Sequence, residues 1–167
     1  IPVLGSVFAI LFTKCCFGGL GHNFMNPALS GRCFLLISFA SVMSTYTVDG
    51  VSSATPLADL AAGNAVSLVQ TFLGANNGVI GCSTAGLLLG GIYLLIVGGI
   101  TWEIPASVLV SFTAFIALFG GHGFDVPYLL LQLAGGGIVM GAFFMATDPV
   151  TCPLASNGQL IYGVVLG

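Results

Sequence analysis

Residues 83–100 read STAGLLLGGIYLLIVGGI, a stretch without one charged side chain. It approaches the roughly 20 apolar residues that a membrane-crossing helix requires. Comparable runs recur at 1–12, 26–43, 104–119 and 128–146, and another starts at 159, so the fold class follows from these runs. Across 167 residues only 2 are Lys or Arg and 5 are Asp or Glu, while 57% are hydrophobic and 4% charged. Mean hydropathy is +1.12. Soluble domains carry about one quarter charged residues, so a water-soluble monomer is excluded. A nucleic-acid binder is excluded too, because it needs clustered cations to meet phosphates. The expectation is an all-α, polytopic transmembrane helix bundle with broken and half helices, one transmembrane domain over 1–167.

The chain opens at Ile1 without an initiator Met and shows no signal-peptide pattern. It reads as a fragment of a longer chain. Orientation follows Lys and Arg in short loops, and with Lys14 and Arg32 alone charge assigns none. Gly86, Gly90, Gly91, Gly135, Gly136, Gly137 and Gly141 lie inside the apolar runs. Small residues let helix backbones approach closely in lipid, so these glycines read as packing positions. Three polar stretches break the pattern: FGGLGHNFMNP (17–27), GANNGVIGCST (74–84) and TDPVTCPLASNG (147–158). Non-helical backbone at membrane depth is tolerated only where protein buries it or a cavity hydrates it.

Between the second and third apolar runs, residues 47–62 read TVDGVSSATPLADLAA, with two carboxylates close together, Asp49 and Asp59. Thr55-Pro56 has the form of a helix start, Thr as N-cap and Pro at the first helical position. An amphipathic helix over 57–72 is expected to follow. From the residues alone, Thr55 is simply that cap.

The segment Asp49-Gly50-Val51-Ser52-Ser53-Ala54-Thr55 resembles the acceptor motif of flavin transferases, D-x-x-(S/T)-G-A-T, with Ser53 in the Gly position. FGGLGHNFMNPALSGR (17–32) and GAFFMATDPVTCP (141–153) resemble the RnfD subunits of Rnf complexes, and less closely the sister NqrB subunits of sodium-pumping NADH:quinone reductases. Two departures stand out: Ser53 replaces Gly, and Gly81-Cys82-Ser83-Thr84 lacks the acidic residue often found in that loop. The resemblance implies FMN attached to the last Thr of the motif, here Thr55, by a phosphoester bond. An external FMN transferase would install it, since no His or Cys lies within the segment to activate a Thr hydroxyl. It further implies an extramembrane attachment segment at about 45–64, on the extracytoplasmic side of a bacterial or archaeal cytoplasmic (inner) membrane. The other Rnf subunits are the implied partners, with electron flow from ferredoxin to NAD coupled to Na+ or H+ movement. The subunit would carry no complete active site of its own. The sister family leaves room for a second, noncovalent flavin (riboflavin).

Helix N-termini attract anions, so the N–H groups of Leu57 and Ala58 are expected to face the flavin phosphate. Asn23, Asn26, Arg32, Thr147 and Asp148 are further candidates around the cofactor. Asn before Pro is also ordinary turn chemistry, Asp148 also reads as a cap, and Arg32 in an apolar helix demands pairing or hydration. Cys15, Cys16, Cys33, Cys82 and Cys152 show no C-x-x-C spacing, and His22 and His122 are isolated, so no metal site is expected. Two rival readings stay open: an NqrB-like quinone-reductase subunit, and a secondary transporter whose broken helices present Arg32 and Asp148 to substrate.

Overall fold

A computed structural model describes residues 1–167 except 20, 23, 45, 49–50, 54, 75–83 and 122–123, with backbone alone for 46–48 and 51–53. The chain forms two compact units. The first comprises Ile1–Thr45 with Asp148–Cys152, the second Tyr46–Thr147 with Pro153–Gly167.

In the first unit, α1 (Pro2–Phe8) continues as a π-helical stretch, Ala9–Cys15, and packs on α2 (Pro27–Ser38). The two helices meet through small residues. A methyl added at Gly31 would lie 2.9 Å from the Gly5 carbonyl oxygen and 3.1 Å from Ala9 Cβ. Beside this contact the Thr13 and Ser30 hydroxyls share a buried hydrogen bond. Phe8 stacks on Phe34 with ring centroids 4.3 Å apart. The expected run over 26–43 is interrupted at Phe39, whose φ of −133° and ψ of 44° separate α2 from the single turn α3 (Ala40–Met43).

The second unit begins with β1 (Tyr46–Val48) and β2 (Val51–Ser53), antiparallel, with Tyr46 opposite Ser53 and Val48 opposite Val51. This short hairpin is an addition to the helical expectation. Then comes α4 (Pro56–Ala61), and here the helix expected over 57–72 is corrected. It is two helices, α4 and α5 (Leu68–Leu73). The first ends in a Schellman motif: Gly63 at φ +78° donates to the Leu60 carbonyl at 3.1 Å, and Asn64 N–H to the Asp59 carbonyl at 3.0 Å. The Asn64 amide also donates to the Asp59 carboxylate at 3.2 Å. With the last carbonyls satisfied and glycine in the left-handed region, the helix stops.

Helix α6 (Thr84–Val97) lays Gly91 against the Phe143 ring, where a methyl would come within 2.5 Å of Cδ1. Helix α7 (Glu103–Phe119) packs along α10 (Ser156–Leu166). Gly163 lies so close to Ser107 that a Cβ there would overlap the Ser107 hydroxyl. The buried Gln159 ties this pair at one end, donating to the Pro153 carbonyl at 3.0 Å and accepting from Thr101 at 3.1 Å. The expected run over 128–146 is a broken helix: α8 (Val126–Gly135), then α9 (Ile138–Met140) continued as the π-helical Gly141–Met145. The two arms meet at 66°. Gly135-Gly136-Gly137 occupies the bend, the kind of sequence at which helices kink. Breaking a helix strands carbonyls, and Thr84 on α6 meets one of them, donating to the Ala134 carbonyl at 2.9 Å in a buried bond.

The architecture is therefore the expected all-α one of short and broken helices, the hairpin apart. Among the described residues no single helix is long and apolar enough to cross a membrane, whereas the bent pair Val126–Gly135 with Ile138–Met145 meets that test together. Buried apolar residues are mostly small, with Ala117, Ala134, Ala142 and Ala146 beside Ile104, Val108, Val139 and Phe143. Many larger ones turn outward: Ile37 is 80% exposed, Ile96 79% and Phe119 77%.

Candidate functional site

Thr55 is half-buried, in extended conformation at φ −71° and ψ 154°, and caps α4. Its Oγ1 accepts the Ala58 N–H at 3.4 Å. That bond is long and engages an oxygen lone pair, leaving the O–H bond out of the cap. Replacing the hydroxyl hydrogen by phosphorus would leave the acceptor role in place, so the residues fit a phosphoester at this oxygen. Pro56 follows at the first helical position, as expected. On the helix side of Thr55, Ala58 is exposed.

The structure anchors this helix start. Leu57 lies on the bend between α8 and α9: methyls added at Gly135 and Gly136 would come within 3.2 Å and 3.3 Å of its Cδ atoms. Pro56 Cβ would be 3.6 Å from the same methyl at Gly135. A methyl at either glycine would press on the tip of the Leu57 side chain. The polar reading of Leu57 thus missed its packing role, for which the paired glycines 135–136 were the available signal.

Of the other candidates in the attachment motif, Asp49 and Ala54 lie outside the described residues, and Ser52 and Ser53 are described as strand backbone only. Asn23 and the loop 81–83 also lie outside them. Asn26 serves as N-cap of α2, its Oδ1 accepting from Ala28 N–H at 3.0 Å and Leu29 N–H at 3.3 Å. Arg32 is half-buried in the second turn of α2. Asp148 shapes its own turn: Oδ1 accepts from Val150 N–H at 3.4 Å, and its backbone carbonyl accepts from Thr151 and Cys152 N–H, both at 3.1 Å. Among the described residues no ion pair joins it to Arg32. Thr147 donates to the Phe143 carbonyl at 2.7 Å.

One polar group escaped the sequence reading. Glu103, in the first turn of α7, receives the Ser156 hydroxyl on Oε1 at 3.3 Å, and its Oε2 is buried without a partner among the described residues. A carboxylate at that position is favoured by the helix dipole. Cys15, Cys16 and Cys33 are exposed free thiols and Cys152 a half-buried one. Among the described residues no cluster of His, Cys, Asp and Glu is arranged to hold a metal ion.

Comparison with known proteins matches residues 1–167 to the model of the NQR2, RnfD, RnfE family. The chain is 44% identical to the D subunit of the Na(+)-translocating ferredoxin:NAD(+) oxidoreductase complex of Acetobacterium woodii, covering 100% of the chain and 54% of that protein. It is 38% identical to the D subunit of the proton-translocating ferredoxin:NAD(+) oxidoreductase complex of Clostridium ljungdahlii, covering 98% and 55%. To the B subunit of the Na(+)-translocating NADH-quinone reductase of Azotobacter vinelandii it is 36% identical, over 98% and 45%. The chain spans about half the length of these relatives.

Proposed function

Because this chain belongs to the NQR2, RnfD, RnfE family, we propose that it is the electron-transfer membrane subunit of an Rnf-type complex and carries FMN on Thr55. Identity favours the ferredoxin:NAD relatives over the quinone-reductase one, 44% and 38% against 36%. The observation that carries the flavin reading is Thr55 itself: the last residue of an acceptor-like motif, at the head of a helix, with its hydroxyl hydrogen outside the cap. FMN supplies single-electron transfer when bound. The protein's contribution is to place it and shape its electrostatics. Thr55 tethers, Leu57 locks the tethering helix onto the bend of α8 and α9, and Ala58 N–H holds the ester oxygen.

The membrane setting agrees with the charge fraction of 4% and with outward-facing Ile37, Ile96 and Phe119. We place the chain in the cytoplasmic membrane, with Thr55 on its extracytoplasmic side and an FMN transferase and the other Rnf subunits as partners. The relatives include a sodium- and a proton-translocating complex, so ion dependence of the purified complex assigns the coupling ion. The test of the tether is in-gel ultraviolet fluorescence of the denatured subunit with mass spectrometry of the Thr55 peptide. Fluorescence that survives SDS, vanishes in Thr55→Ala and persists in Thr55→Ser is expected. An unmodified peptide from cells containing the transferase refutes it.

A further inference from the structure

The second unit carries an open-sided cavity of about 400 Å³ lined by Leu68 and Phe72 of α5, Leu88 of α6, Leu109 of α7, Leu133 of α8 and Val139 of α9, among others. Its volume lies in the range of sites for small organic ligands. The lining is apolar except for Thr84, whose hydroxyl is committed to the Ala134 carbonyl at 2.9 Å. An occupant must therefore present an apolar body. Any donor or acceptor it buried here would go unpaired, at a cost of about 1–3 kcal/mol each.

The cavity shares a wall with the tether. Ala134 lines it, and the next residue, Gly135, receives Pro56 and Leu57, directly after Thr55. We propose that this cavity seats the dimethylbenzene edge of the flavin ring carried by Thr55, an inference that rests on the FMN reading above. A flavin has one apolar and one polar edge. The leucine-lined cavity accepts the first and offers the second nothing, so the pyrimidine edge stays outside it. The seat also accounts for the glycine pair at 135–136: those positions let the tethering helix approach the cavity wall closely.

The experiment uses the intact complex, purified from cells with the transferase. The emission assigned to this flavin is the part lost in Thr55→Ala, and iodide is the quencher. Ala134→Phe and, separately, Leu109→Trp fill the cavity from different helices, and Leu88→Ala enlarges it. Mass spectrometry of the Thr55 peptide accompanies every sample. The expected result is weak iodide quenching in the wild type and in Leu88→Ala, and quenching several-fold stronger in at least one filled variant that retains the adduct. Equal quenching in wild type and in every filled variant that retains the adduct overturns the seat and leaves the tether standing, as does strong quenching already in the wild type. Absence of the adduct from the wild type overturns the tether and the seat with it. If neither filled variant retains the adduct, photolabelling of the wild type through a flavin bearing an azide on its benzene ring decides. Label within 130–139 or 68–72 supports the seat, and label confined elsewhere overturns it.

Discussion

Gly163→Ala tests the seam between α7 and α10. The added methyl would overlap the Ser107 hydroxyl and stand 2.8 Å from Ser107 Cβ and 3.1 Å from the Ile104 carbonyl oxygen. Ser107 has little freedom to retreat, because its hydroxyl donates to the Glu103 carbonyl at 2.7 Å and the Ile104 carbonyl at 3.0 Å. Overpacking a close contact costs about 1–3 kcal/mol. Turning the hydroxyl away adds about 0.5–1.5 kcal/mol for the bonds it leaves. The expected destabilisation is therefore about 2–4 kcal/mol, on the order of 30- to 1,000-fold in the folding equilibrium. The assay is reversible unfolding of the full-length subunit by SDS in mixed micelles, followed by tryptophan fluorescence. Ser107→Gly removes both overlapping atoms, so the same alanine in that background should lose at least about 1 kcal/mol of its penalty, as coupled neighbours do. An equal penalty in both backgrounds, or none in either, refutes the contact.

Two further substitutions test local geometry. Gly63→Ala places a Cβ at φ +78°, which costs about 1–2 kcal/mol, and amide exchange at Gly63 and Asn64 should accelerate by roughly tenfold. Asn26→Ala removes the cap of α2 at a cost of about 1 kcal/mol. Exchange at Ala28 and Leu29 should quicken while the covalent flavin content stays unchanged, and loss of flavin would instead make Asn26 a cofactor ligand.

The helices were legible because the apolar runs are long and uncharged, and α7 begins within one residue of its expected start at 104. The breaks were legible only where the sequence carries a backbone signal. Gly63-Asn64 is such a signal, offset by the apolar residues that continue on either side. Asp49-Gly50 between Val48 and Val51 is a strong hairpin dipeptide, and it lies inside the acceptor-like motif. The interruption at Phe39 has no Gly or Pro to announce it. Thr55 was visible as a cap from its own residue type and as a tether only through family resemblance. The cavity beside it was invisible, since leucines from separate helices make it and none differs in sequence from an ordinary core leucine.

The π-helical stretches leave a mark on how such a chain tolerates change in length. Leu11 accepts from Cys16 N–H and Gly141 from Ala146 N–H, each spanning five residues instead of four. Each wide turn stores one extra residue relative to an α-helix, and one residue corresponds to about 100° of rotation. Deleting a single position inside Gly141–Met145 would rewind the turn to α pitch and keep Phe143-side packing within reach. The same deletion in the middle of α7 would swing every later side chain about a quarter-turn off its partner on α10. Single-residue length differences are therefore absorbed at the two wide turns and refused along the α7–α10 seam.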